Sequence, residues 1–220
     1  LCLTLGDADH NEQLDQRLRV VLKNKKHWVL IGGPPCQAYS LVGRARNQGI
    51  ADYRAENDHR HFLYKEYLRI IKDYHPSIFV MENVKGILSS KVNGEVVFHK
   101  ILDDLMGPFE KKEGRKKSAP VGYRLFSLGT GRGLDRNSPD DTFDPRDFVI
   151  RSEEYGVPQR RHRVFILGVR EDLDVQSPPL LGKFDGKVPT VQDVIGGMMR
   201  LRSGLSRKGN SDAPGDSHKE

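Results

Sequence analysis

The stretch His27-Trp28-Val29-Leu30-Ile31-Gly32-Gly33-Pro34-Pro35-Cys36-Gln37 decides how the chain is built. An apolar run of strand length stops at two glycines and two prolines. A run without polar alternation reads as a buried strand of the parallel type. The prolines then force the chain out of the sheet into a loop at the strand's carboxyl end. Downstream, Phe62, Leu63, Tyr67, Ile70, Ile71 and Tyr74 recur at helical spacing, Pro76 ends that helix, and Ser77–Met81 reads as a second buried strand. Val97, Ile101 and Leu105 mark a further helix between about Val96 and Leu105, and Phe148–Ile150 and Val164–Val169 are two more β-rich runs. Strands alternating with helices predict an α/β sheet with crossover connections. The expected form is a partial doubly wound, Rossmann-like sheet, which places ligand loops at the carboxyl ends of its strands. Gly32–Gln37 and Glu82–Gly86 both fall at such ends.

Outside this frame the reading is coarser. The first residues read as leading toward a strand. Residues 110–147 read as a long loop or insertion, with the charge run Glu-Lys-Lys-Glu-Gly-Arg-Lys-Lys at 110–117 and a Gly/Asp/Arg/Pro-rich stretch at 129–147. Such a charge run is either a solvated face or a nucleic-acid contact. The chain starts at Leu1 and ends in the polar stretch Ser203–Glu220, so both ends read as cut and the tail as disordered. The expected organisation is a partial catalytic domain over residues 1–175, followed by a linker over 176–220.

Composition narrows the function classes. The net charge of +6 over 220 residues favours a polyanionic partner, although a generic basic surface fits the charge equally well. The two cysteines, Cys2 and Cys36, lie far apart with neither a CxxC spacing nor histidines at ligand spacing. A disulfide scaffold and a structural metal site are therefore not expected. No apolar run reaches the roughly 18–20 residues of a spanning helix, and the start does not read as a secretory leader. A reduced, cytoplasmic setting is expected.

Within that setting Cys36 reads as a nucleophile. Pro34 and Pro35 hold the preceding backbone stiff, and Gly32 and Gly33 permit close backbone approach to a ligand. Glu82, in Met81-Glu82-Asn83-Val84-Lys85-Gly86, is a carboxylate at the end of a buried strand. It needs either a partner or a task. In Tyr155-Gly156-Val157-Pro158-Gln159-Arg160-Arg161-His162-Arg163-Val164-Phe165-Ile166, alternation puts Arg161 and Arg163 on one side of an extended chain, with Arg160 and His162 opposite.

These three strings, in this order, resemble the nucleophile, Glu-Asn-Val and Gln-x-Arg-x-Arg motifs of DNA cytosine-5 methyltransferases. A fourth segment, Asp58-His59-Arg60-His61-Phe62-Leu63-Tyr64, is similar to the family's helix start after the nucleophile loop. The resemblance covers roughly residues 27–170. It implies that Cys36 adds to cytosine C6, that Glu82 holds or protonates N3, that Arg163 contacts O2 and that Arg161 orients Glu82. It implies S-adenosyl-L-methionine as methyl donor, with Pro35 and Leu63 against it. The implied partner is double-stranded DNA, whose target base is flipped out, with Gln37, Ser40, Arg44, Arg46 and Gln159 as contacts. The loop from Ser40 to about Gly49 is either a DNA-closing element or an ordinary basic loop. Restriction-modification, a cognate endonuclease, a bacterial or phage gene and a monomeric state complete the expectation.

Two family segments are not found: the glycine-rich cofactor turn upstream of His27, and the Gly-Asn-Ser-Val-like segment. A target-recognition region would begin after about residue 175. The chain is therefore expected to be a fragment with half a cofactor pocket, inactive alone. Two other readings stay open, a tRNA cytosine-5 methyltransferase and a catalytically dead nucleic-acid-binding remnant. The three intact motifs count against the last.

Overall fold

A computed structural model describes residues 2–34, 63–92, 95–109, 120–135 and 143–199. Its elements are helices α1 (Ala8–Leu22), α2 (Leu63–Tyr74), α3 (Val97–Met106) and α4 (Val191–Ile195), and strands β1 (Val29–Gly32), β2 (Ile78–Val84), β3 (Lys91–Val92), β4 (Glu95–Val96), β5 (Tyr123–Ser127), β6 (Gly133–Leu134), β7 (Val149–Arg151) and β8 (His162–Arg170). The main sheet runs β1-β2-β8-β5-β6, with β7 also paired to β8. β1 and β2 are parallel, with Gly32 opposite Met81. α2 is the crossover between them, as the apolar spacing predicts. β8 enters between β2 and β5 and runs antiparallel to both.

Side-chain alternation divides the sheet into two faces. On one, Phe79, Met81, Tyr123, Leu125, Val164 and Ile166 form a core with Tyr64, Tyr67 and Ile71 of α2 and with Phe98, Ile101 and Leu105 of α3. Contact here is close enough to select glycine: a Cβ on Gly168 would lie 2.1 Å from the Phe79 ring. The Tyr67 hydroxyl, whose ionisation burial pushes up, donates to the Val80 carbonyl at 2.9 Å and fixes α2 on the sheet. On the other face, Phe126, Leu167 and Val169 pack with Ile78, Val80, Leu173 and Val175. Val29 and Ile31 of β1 stay exposed there, so β1 is covered on one face only and is not the buried strand expected from its apolar run.

Two further expectations are corrected. The first residues form α1, a helix rather than the approach to a strand. It has no buried residue and docks through polar contacts: Asn11 to Glu66 at 3.0 Å and Arg69 to Asp15 at 2.9 Å. Nor is 110–147 simply a loop, because it contains β5 and β6. Tyr123, Leu125, Phe126 and Ser127 are buried, and β5 pairs with β8 along its whole length. Only five residues long, β5 lies between charged and glycine-rich flanks that hide its period. Beyond β8 the chain runs extended over earlier turns. Leu181 N–H donates to the Leu128 carbonyl at 3.1 Å, and Phe184 N–H to the Glu154 carbonyl at 3.0 Å. Among the described residues, no helix is long and apolar enough to cross a membrane.

Candidate active site

Glu82 is the fifth residue of β2 and sits at the carboxyl edge of the sheet. Its neighbour in register is Phe165, while Arg163 faces Val84. All four side chains therefore point to the same face, and Glu82 and Arg163 meet on the diagonal. Arg163 Nε lies 2.9 Å from Glu82 Oε1. The Nε–H bond does not aim at that oxygen and finds no hydrogen-bond acceptor among the described residues, so the contact is an ion pair without a directed hydrogen bond. Arg163 Nη1 instead donates to the His162 carbonyl at 2.8 Å. The Glu82 carboxylate, about a third exposed, thus keeps acceptor positions for an incoming N–H.

The loop that carries Cys36 starts beside this carboxylate. A Cβ on Gly33 would lie 2.8 Å from Glu82 Oε2, so only glycine leaves the carboxylate where it is. Asn83 is buried, and its amide donates to the Pro34 carbonyl at 3.3 Å while its Oδ1 accepts from Val84 N–H at 2.9 Å. This places Pro34, two residues before Cys36, against the Glu-Asn-Val segment. Sequence reasoning missed the role of Asn83 as tether. The signal was available, since a buried amide beside a functional carboxylate must spend its donors on something.

Cys36, Pro35, Gln37, Ser40, Arg44 and Arg46 lie outside the described residues. Leu63 is the first residue of α2, one turn before Tyr67. A Cβ on Gly32 would lie 2.6 Å from the Tyr67 ring, so α2 begins at the carboxyl edge of β1. The Gly32–Tyr67 contact thus sets the first turns of α2 beside the carboxyl end of β1, the edge where open α/β sheets bind ligands. Gln159 is exposed on the turn before β8, where its carbonyl accepts from Arg161 N–H at 2.9 Å.

The orienting contact expected of Arg161 is made by Arg163. β8 begins only at His162, so the alternation that would align Arg161 with Arg163 does not extend back to it. Arg161 is exposed, and its carbonyl is held by Ser152, from N at 3.1 Å and from Oγ at 2.7 Å. No ion pair joins its guanidinium to a carboxylate among the described residues.

The family model for C-5 cytosine-specific DNA methylases matches residues 6–107 and 146–212. This chain belongs to that family. The match reaches beyond both ends of the motif-bearing region and includes α1. It skips 108–145, the segment that contains β5 and β6. Among curated relatives, the type II methyltransferase M.Bpa9945I of Bacillus paralicheniformis is 35% identical over 68% of this chain and 27% of its own length. M.FnuDI of Fusobacterium nucleatum is 35% identical over 78% of this chain and 38% of its own length. M.NgoPII of Neisseria gonorrhoeae is 31% identical over 84% of this chain and 42% of its own length. The chain thus spans between a quarter and under half of the length of these relatives.

Proposed function

We propose that this chain carries the base-activating part of a DNA cytosine-5 methyltransferase, of the kind that serves restriction-modification. The observation that supports it best is the Glu82–Arg163 ion pair at 2.9 Å, set beside the Gly33–Pro34 start of the Cys36 loop. Type II methyltransferases among the relatives favour DNA over tRNA as the substrate.

Cytosine C5 is a poor nucleophile and needs activation. The Cys36 thiolate adds to C6, and negative charge develops on the ring at N3 and O2. Glu82 holds or protonates N3 and accepts a hydrogen bond from the exocyclic amine. Arg163, 2.9 Å from Glu82, donates to O2, where charge-assisted hydrogen bonds stabilise the developing charge. Pro35 and Leu63 would hold S-adenosyl-L-methionine, which would supply the methyl group that C5 acquires and leave as S-adenosylhomocysteine. A water takes the C5 proton as the bond from C6 to Cys36 breaks, and any proton taken by N3 returns to Glu82, which restores the aromatic ring and the free thiolate. The target base must leave the DNA stack to reach Cys36, at a cost of about a few kcal/mol. Gln37, Ser40, Arg44, Arg46 and Gln159 are the proposed DNA contacts.

The test is covalent trapping by the full-length gene product on duplex DNA containing 5-fluorocytosine, with methyl donor present. Fluorine at C5 blocks the elimination, so an active enzyme accumulates a DNA adduct that Cys36→Ser abolishes. An adduct on tRNA and none on DNA would move the assignment to the RNA branch. No adduct on either would leave a binding remnant.

A further inference from the structure

His162 stands between Arg161 and Arg163, and alternation along β8 turns its side chain to the face opposite Arg163. It cannot touch the base that Arg163 touches. Its ring is nevertheless firmly held: Nε2 lies 2.7 Å from Glu153 Oε1, and both side chains are about three-quarters buried. Glu153 belongs to the short 3-10 turn Ser152–Tyr155. The same turn holds the Arg161 carbonyl through Ser152 N and Oγ. Consecutive residues at the start of β8 are thus gripped by consecutive residues of one turn.

Arg163 depends on that grip. Its guanidinium ends a long, rotamer-rich side chain, which is costly to order. Its one side-chain hydrogen bond among the described residues goes from Nη1 to the His162 carbonyl, at 2.8 Å. A shift of His162 moves this carbonyl, and with it the Nε that faces Glu82.

We propose that His162 is a positioning residue for the Glu82–Arg163 pair, pinned by Glu153 so that its carbonyl holds Arg163 in place. The catalytic consequence rests on the function proposed above. The other charges around the contact are Arg160, whose Nε lies 4.0 Å from the same Glu153 oxygen, and Arg151, opposite His162 in register and paired with Glu154 at 3.2 Å. The His162 hydrogen bond holds the Glu153 carboxyl below its usual range. Glu153 Oε2 is buried without a hydrogen-bond partner among the described residues, and at Oε1 the His162 ring at 2.7 Å is much nearer than Arg160 at 4.0 Å.

The experiment uses the full-length gene product and follows the rate of 5-fluorocytosine-DNA adduct formation at saturating DNA, together with DNA KM and Tm. His162→Ala is expected to slow the adduct step about ten- to hundredfold, the scale of a misplaced catalytic group, with KM within about twofold. His162→Gln, which returns an N–H to Glu153, should recover to within about threefold, and Glu153→Gln should stay between the two. In an Arg163→Ala background, His162→Ala should add nothing, because the group it positions is gone. An alanine variant within about twofold of wild type overturns the proposal. So does an equal loss in the Arg163→Ala background, or a glutamine variant as slow and as low in Tm as the alanine one. Wild-type protein that forms no adduct would instead overturn the proposed function itself.

Discussion

Glu82 and Arg163 meet diagonally across β2 and β8, two residues apart in register, with Nε and Oε1 separated by 2.9 Å. Because the pair lacks a directed Nε hydrogen bond, neither partner is saturated before substrate arrives. Their charges stabilise each other while leaving Arg163 donors and Glu82 acceptors for the base contacts proposed above. Arg163→Ala should therefore slow methyl transfer by the full-length product about a hundred- to thousandfold, the usual cost of losing a donor aimed at developing charge. Arg163→Lys should recover little of it, since an ammonium keeps the charge without the planar fork. Single-turnover rates on a defined duplex measure this, and a loss below about threefold would remove Arg163 from the chemistry.

Gly33 separates function from stability. A methyl group there would press on Glu82 Oε2 at 2.8 Å. That oxygen ends a flexible side chain, so the clash is relieved by moving the carboxylate rather than the backbone. Gly33→Ala is expected to keep Tm within a few degrees of wild type while slowing adduct formation by about tenfold or more. Gly168→Ala makes the contrast. Its Cβ would meet the buried Phe79 ring at 2.1 Å, where nothing can step aside cheaply. That variant should lose about 1–3 kcal/mol of stability by overpacking, read by thermal or denaturant unfolding.

Asn83 gives a third expectation. Its amide nitrogen serves the Pro34 carbonyl and its oxygen serves Val84 N–H. Asn83→Asp keeps the shape but turns an acceptor, or a charge, toward that carbonyl in a buried site. About 1–3 kcal/mol should be lost for the unsatisfied group. The start of the Cys36 loop should also loosen, detectable as faster alkylation at Cys36 by a thiol reagent. Unchanged Cys36 reactivity would show that the tether does not reach the nucleophile.

The parts of this arrangement that were legible in the sequence are those that local pattern controls. β1, β2, α2 and α3 announce themselves through unbroken apolar runs, helical spacing and the stops at Pro34 and Pro76. Glu82 could be singled out because a carboxylate beside a buried strand is costly without a role. α1 was not legible because it buries nothing and is docked by Asp15, Asn11 and their partners 55 or so residues away. β5 was lost inside a charged, glycine-rich region, although its pairing with β8 makes it central to the sheet. That Arg163 and not Arg161 meets Glu82 turns on one boundary, since β8 starts at His162 and not two residues earlier. Boundaries of that kind are set by tertiary contacts, here Ser152 and Glu153, which no local period encodes.

The polar docking of α1 makes its attachment pH-dependent. Burial of Asp15 would by itself raise its carboxyl, but the hydrogen bonds and charge of Arg69, with the Tyr74 hydroxyl close by, outweigh that and hold it below the usual range. A carboxyl depressed in the folded state contributes its stability above its unfolded pKa, about 3.9, and loses it as pH falls through the folded value. Because α1 has no buried residue, little apolar contact compensates once Asp15 is protonated. Amide exchange over Ala8–Leu22 should therefore rise as pH is lowered below about 4, after correction for intrinsic rates, while α3 stays protected. Asp15→Asn should show the looser α1 already at neutral pH, by about 1 kcal/mol after solvent screening, and should lose most of the acid response. An acid response that persists undiminished in Asp15→Asn would overturn the assignment of the pH dependence to Asp15.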